Sequence, residues 1–235
     1  RSRGLGDVYK RQAPLSPEVH KKFEKTFNVR VIETMGLTET AAQILSNPTN
    51  GGKHGSAGKA YGNEVRIIDD HGNYAPSGIT GELVIKGDNV LLEYFKNEEA
   101  TQGAFNEDGY FLTGDLGVED EEGFFFITGR KKELIIKGGE NISPREIDDT
   151  LYKHNAVLEA CTFGIEDDNY GEEISACVYL KDDLVANEEE LLDLCKADLG
   201  EYKTPRQIIF VNEPLPKGPS GKIQRLKIAS QYSSS

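Results

Sequence analysis

The sequence lacks what a membrane span or a disulfide scaffold needs. No apolar run approaches the ~18 residues of a transmembrane helix. The basic start has no apolar stretch behind it, so no secretory leader is expected. Cysteine is scarce: Cys161, Cys177 and Cys195 are odd in number and irregular in spacing. That excludes a disulfide framework or a cysteine metal site, and it points to a reduced, cytoplasmic setting with the thiols as small core residues. The four histidines are scattered, none paired at ligand spacing, so no histidine metal site is expected either. Positive charge is also short, with 27 Lys and Arg against 40 Asp and Glu and a net charge of −13. Long-range repulsion then opposes a broad nucleic-acid or anionic-membrane surface.

What is present suffices for real cores. Apolar residues make up 37% of 235, including ten Phe and ten Tyr, enough for one large domain or two small ones. Much of the acid falls where acid is tolerated: "EDEEG" (119–123) resembles a hairpin tip and "NEEE" (187–190) the first turn of a helix. Against that background two basic clusters stand out, "GRKKELIIKGG" (129–139) and "PKGPSGKIQRLK" (216–227). Each reads either as a solvated face or as the rim of a site for a small anion.

Residues 1–12 lead into no periodic pattern and are expected to be a scar outside the fold. Ser16 and Pro17 then start a helix, with Val19, Phe23 and Phe27 on one face. "VRVIE" (29–33) is a strand running into the polar turn "MGLTET" (35–40). From 51 to 127 the chain is β-rich: glycine-bounded strands in "GELVIKG" and "GFFFITG", and an Asp/His/Gly turn after "EVRII". Beyond Gly129 strands and helices alternate. Ser143, Pro144 and Glu146 predict a capped helix whose Ile147 and Leu151 face a core. A second helix opens at Asn187 and Glu190 and carries Leu191, Leu192, Cys195 and Leu199. With the strands "LEACTFGI", "EISACVYLK" and "RQIIFV" they predict a small α+β unit, so the boundary is placed at 128–132.

The "SGK" around Lys222 invites comparison with a phosphate-cradling P-loop. That motif needs a glycine where Pro216 stands and a hydroxyl where Ile223 stands, so the reading fails. Asp115, after Thr-Gly in "GYFLTGDLG", near a predicted strand end, suits either a turn or a ribose diol. Arg130 offers a charged fork to an anion, and the Gly138–Gly139 pair permits unusual backbone angles or the close approach of a ligand. The bland reading is a hairpin with a basic rim followed by a helix. Thr38 suits a phosphate oxygen and Glu39 a hard cation, though Thr-Glu pairs are common in acidic loops.

Taken in order, "TMGLTET", "GELVIKGDNVLLEYFKN", "GYFLTGDLG", "GRKKELIIKGGENISPREID" and "PLPKGPSGKIQR" resemble the later core motifs of the adenylate-forming (AMP-binding) superfamily. "SNP" (46–48), "YGEE" (170–173) and "SGKIQR" look closest to its acyl-CoA synthetases, including those acting on fatty acids and on oxalate. The resemblance implies an α+β fold. Residues 13–129 would end the large N-terminal domain with a β-rich, barrel-like subdomain, and residues 130–235 would form a small mobile lid domain. It implies a two-step acid–thiol ligase using ATP, Mg²⁺ and coenzyme A on a small carboxylic acid. In that scheme Met35 packs on adenine where the family usually has an aromatic residue, and Thr38 meets the α-phosphate. Glu39 holds Mg²⁺, and Asp115 with Arg130 binds the ribose. Lys132 is the hinge, Gly139 lines the pantetheine passage, and Lys222 is the adenylation lysine. Family members carry a long preceding region with a Gly/Ser/Thr-rich phosphate loop, so this chain is expected to be a C-terminal fragment, inactive alone, with apolar surface on its open edge. Two other readings stay open: an adenylation domain loading a carrier protein, and a non-catalytic lid or interaction module. Oligomeric state is not readable.

Overall fold

The computed structural model describes residues 8–10, 17–219 and 221–232, with side chains from Val19 onward. The chain divides into two compact units, residues 1–128 and 129–235. Ser16, expected to cap the first helix, lies outside the described residues.

In the first unit, β1 (Val8–Lys10) precedes α1 (Pro17–Phe27) and pairs in parallel with β2 (Val31–Gly36). A segment set aside in the sequence thus contributes a strand. β2 continues through Gly36, three residues beyond the predicted strand, and pairs with β3 (Gln43–Ser46), which pairs with the short β4 (Lys59–Ala60). A second sheet follows as an antiparallel meander of β5 (Glu64–Ile68), β6 (Gly81–Lys86), β7 (Phe111–Glu119) and β8 (Phe125–Arg130), with the short α2 (Glu98–Gln102) between β6 and β7. The β5–β6 connection opens with the predicted Asp/His/Gly turn, in which Asp69 Oδ1 accepts from the amides of His71 and Asn73. The acidic 119–123 stretch is the predicted hairpin tip, its Asp120 accepting from the amides of Glu122 and Phe124. β6 is buried on both faces. Leu83 and Ile85 join Ile44, Leu45, Val65, Ile67 and Phe125 in one cluster, while Val84 packs with Ile68 and Tyr110 in another. Alternation of side chains along a strand puts those residues on opposite sides.

The second unit opens with the hairpin β9 (Ile135–Lys137) and β10 (Glu140–Ile142), followed by α3 (Pro144–Leu151). β11 (Val157–Asp167) and β12 (Gly171–Leu180) form a long antiparallel pair; α4 (Glu188–Leu199) then leads to β13 (Gln207–Val211), which pairs in parallel with β12. α5 (Arg225–Tyr232) ends the described chain. One face of this sheet is covered by α3 and α4, where Ile147, Leu151, Leu191 and Cys195 pack on Ile174, Ala176 and Val178. The other face carries Cys161, Phe163, Cys177, Leu215 and Ile228. Phe163 is 1% exposed, and burying such a side chain contributes about 1.5–3 kcal/mol.

The caps divide. Asn187 and Glu190 form the expected capping box on α4. Ser143 stands at the N-cap of α3, but its side chain makes no cap hydrogen bond. Its hydroxyl is turned toward Gly129, where an added Cβ would fall 2.6 Å from Ser143 Oγ. Glu146, the expected partner in that box, is taken by Lys203 at 2.8 Å. Two histidines far apart in the sequence, His20 and His54, meet within the first unit, ring centroids 4.3 Å apart. Among the described residues no helix is long and apolar enough to cross a membrane.

Candidate functional site

Met35, Thr38 and Glu39 sit together where β2 ends. Met35 is half-buried against the core of the first unit, and Thr38 and Glu39 belong to a single 3-10 turn, Thr38–Thr40. Thr40, which the sequence did not single out, holds that turn in shape. Its buried Oγ1 accepts from the Leu37 amide at 3.2 Å and lies 3.0 and 2.9 Å from the carbonyls of Leu37 and Ala42. The segment after β6 supports it from outside: Asn89 Nδ2 donates to Thr40 O at 2.6 Å, and the Leu91 amide to Glu39 O at 2.7 Å. Thr38 is thereby left exposed, while Glu39 is half-buried with Tyr94 Oη donating to its Oε1 at 3.3 Å. Burial, with Glu39 beside it, raises the Tyr94 phenol, so that group remains a donor. A magnesium ion takes one or two carboxylates plus phosphate oxygens, and the steadied Glu39 carboxylate fits that donor set.

Asp115 does not lie at a strand end, as predicted, but inside β7. The register shows why it is special. Val84 of β6 pairs with Leu112 and Glu82 with Leu116, so Thr113, Gly114 and Asp115 together face the single residue Leu83. This is a bulge, a device that re-aims a side chain out of the regular ladder. Gly114 takes φ +69° at its centre. Thr113 Oγ1 donates to Leu83 O at 2.8 Å and accepts from the Asp115 amide at 3.0 Å, and Glu82 Oε1 accepts from the Gly114 amide at 2.9 Å. Asp115 is held there at 4% exposure. The "TGD" triplet is legible as a built feature only once the partner strand is known.

The remaining predicted residues belong to the second unit. Arg130 ends β8 with extended backbone, half-buried. Lys132 is exposed in the 3-10 turn Lys131–Glu133, just past the boundary between units. Gly138 and Gly139 make the two-residue turn of the β9–β10 hairpin with φ +57° and +86°. That is the left-handed pair such a turn requires. A Cβ on Gly139 would meet nothing within 4 Å, so its backbone and not its surroundings selects glycine. Lys137, counted with the basic rim in the sequence, is instead buried, 2.5 Å from Glu173 Oε1.

Lys222 lies on a narrow loop. Lys217 bridges Ile223, the Gly218 amide donates to Lys222 O, and the Gln224 amide donates to Pro216 O, both at 2.9 Å. The loop is pinned at its feet by Leu215 and Ile223 on the second core face. Its cations divide into two kinds. Lys217 pairs with Glu159, and Arg225 is buried in a net of acceptors. Arg225 Nη2 meets Asp148 at 2.8 Å, Nε meets Glu133 at 3.1 Å, and Nη1 donates to Thr162 O. Burial lowers the Arg225 guanidinium, but Asp148, Cys161 and Glu133 together more than offset this and the net shift is upward. Lys222 is left exposed beside the loop tip. A stretch without acid in its own sequence therefore acquires acid from three other elements, and Arg225 becomes the anchor that sequence reasoning missed.

Residues 4–95 match the family described as AMP-binding enzyme, and residues 146–222 match the AMP-binding enzyme C-terminal domain. The sulfoacetate–CoA ligase of Cupriavidus necator is 49% identical over 218 residues, covering 92% of this chain and 43% of that protein. Among solved structures, ATP-bound MatB from Rhodopseudomonas palustris aligns with a TM-score of 0.91 at 33% identity, over 96% of this chain and 45% of that one. The o-succinylbenzoate CoA synthetase of Bacillus subtilis, solved with its acyl-adenylate intermediate, aligns with a TM-score of 0.84 at 34% identity, over 94% and 45%. The chain spans less than half the length of these relatives.

Proposed function

Because the chain belongs to the AMP-binding enzyme family, we propose that it forms part of an ATP-dependent carboxylate–CoA ligase that makes an acyl-adenylate and then an acyl-CoA thioester. The observation that carries this reading is the division of labour in the 216–227 stretch. Lys217 and Arg225 are consumed by acids, while Lys222 is presented to solvent on a loop with anchored feet. A mobile cation delivered to a phosphate suits adenylation, in which two anions must be joined and charge builds on phosphate oxygens.

The other roles follow from the same chemistry. Thr38 meets the α-phosphate from its exposed turn, and Glu39 holds the magnesium ion that would neutralise phosphate charge when bound. Asp115, re-aimed by its bulge, accepts from the ribose hydroxyls with Arg130 assisting, and Met35 packs near the adenine through its polarisable thioether. Residues 130–235 act as a lid turning about Lys132, withdrawing Lys222 after adenylation so that the thiol enters past Gly139. The activity is proposed for a protein that includes a share of sequence beyond the 43% of the sulfoacetate ligase matched here, and the chain alone is expected to show none. Two of the named relatives act on acids with a second acidic group, sulfoacetate and o-succinylbenzoate, which favours a small dianionic acid over a fatty acid as substrate. A reducing, cytoplasmic setting accords with three free buried thiols, two of them, Cys161 and Cys177, facing each other across β11 and β12.

The test is acid-dependent exchange of labelled pyrophosphate into ATP by the full-length parent protein, across sulfoacetate, oxalate, o-succinylbenzoate and a fatty acid. Lys222→Ala is expected to lower that exchange about 10²–10³-fold without changing stability. Absence of exchange with every acid rejects the ligase reading, and exchange undiminished in the variant rejects the role of Lys222.

A further inference from the structure

Helix α1 carries His20 and Glu24 one turn apart on the same face, and the loop before β4 returns His54 to them. One ligand atom from each of the three lies within 4.8 Å of the other two. His54 Nε2 is 2.9 Å from Glu24 Oε2, while Glu24 Oε1 accepts from the Val31 amide at 2.9 Å. His20 Nε2 lies 3.0 Å from Val31 O and 3.4 Å from Glu24 Oε1. On the other side of the ring, His20 Nδ1 faces Glu33 Oε2 at 3.4 Å and makes no hydrogen bond. His20 and Glu33 are buried, at 3% and 8%, whereas the His54 side chain is 35% exposed. Carboxylates and imidazoles are thus gathered where solvent screens poorly, and acids in such a place need a compensating cation.

We propose that His20, Glu24 and His54 form a three-ligand site for a divalent transition-metal ion of the Zn²⁺ class. Two imidazoles and one carboxylate are the donors such an ion takes, whereas Mg²⁺ and Ca²⁺ prefer oxygen alone. Around an ion with bonds of about 2.0–2.2 Å, ligand atoms stand a little over 3 Å apart, so the cluster needs only small adjustments. The ion takes the place of the Glu24–His54 hydrogen bond and of the contact between His20 and Val31 O. The supporting groups are already in position. Glu33 faces the second nitrogen of His20, and the Val31 amide fixes the second oxygen of Glu24; outer partners of this kind orient metal ligands. The fourth position opens toward the solvent beside His54, where a water completes a tetrahedron. Bound metal would staple α1 to the loop before β4.

The experiment is titration of the 235-residue chain with Zn²⁺ against a chromophoric chelator, and with Co²⁺ read by its visible d–d bands. One ion per chain is expected, with intense tetrahedral Co²⁺ bands. His54→Ala is expected to abolish the bands and to weaken Zn²⁺ binding more than Glu33→Gln, which should cost about 10–100-fold as an outer partner. His54 is partly exposed and absent from the hydrophobic clusters, so its replacement leaves the core intact. No stoichiometric Zn²⁺ binding overturns the proposal. So does binding that His54→Ala and Glu24→Gln leave unchanged, because that is adventitious metal on an acidic surface. Neither outcome bears on ligase activity, which the titration does not read.

Discussion

Arg225 and Lys222 stand three residues apart and do opposite things with the same charge. The arginine is sunk among Asp148, Glu133 and the Thr162 carbonyl, whereas the lysine is exposed. Asp148 also accepts from the Thr162 amide at 2.7 Å, and burial raises its carboxyl against the pull of Arg225. Removing one partner of such a pair strands the other in a dry place. Arg225→Ala is therefore expected to destabilise the protein by about 3–5 kcal/mol, read from the shift of its denaturation midpoint. Arg225→Ala combined with Asp148→Ala should cost less than the sum of the two single changes. Additive costs would mean that the pair does not act as a unit. In the sequence the two cations look alike, because the acids that distinguish them lie 77 and 92 residues away. Long-range pairing of this kind leaves no local trace.

At the scale of elements, the β9–β10 turn separates conformation from crowding. Gly139→Ala forces a side chain into left-handed backbone with open space around it, at a cost of about 1–2 kcal/mol. Gly138→Ala adds a contact 3.0 Å from Tyr202 Oη and is expected to cost more. Urea denaturation of the two variants reads the difference directly, and equal losses would refute the distinction. If Gly139 lines the thiol passage, its variant in the full-length parent protein should also slow thioester formation more than pyrophosphate exchange. The helices and most strands were legible because period and turn chemistry are local: Asn187 and Glu190 predicted their own box, and Asp69 its own turn. The α3 capping box failed because Lys203 takes Glu146 from outside the motif. The strand nature of "TGD" and the helix at 225–232 were missed for a related reason. A bulge is defined by its partner strand, and α5 is placed by the face it covers.

For the whole molecule, the buried thiols fix a direction of pH dependence. Burial pushes Cys161 up to about 12 and Cys195 up to about 11 from a reference of 9.0, and it raises Cys177 as well. Unfolded thiols lose protons near pH 9 while native ones keep them, so the unfolded state binds fewer protons above that pH. Stability is fully present below about pH 9 and falls as pH climbs toward 12. Urea midpoints at pH 8 and pH 10.5, followed by far-ultraviolet circular dichroism, should show the loss, and its absence in a Cys161→Ala, Cys195→Ala variant would assign it to the thiols. Val19, Phe23 and Phe27 of α1, predicted to share one face, are 52%, 39% and 59% exposed, an apolar stripe beside the flank that gathers His20 and Glu24.

Strand β12 gives the second unit an order of assembly. Its neighbour β11 arrives through a short connection, but β13 must return past α4 to pair in parallel, and such non-local pairing forms late. The face on which Leu215, Ile223 and Ile228 rest combines residues of β11, β12 and β13. The loop bearing Lys222 therefore has no platform until that sheet is complete. On this account the lysine is the last part of its unit to find its place during folding, and the first to come adrift when β13 frays.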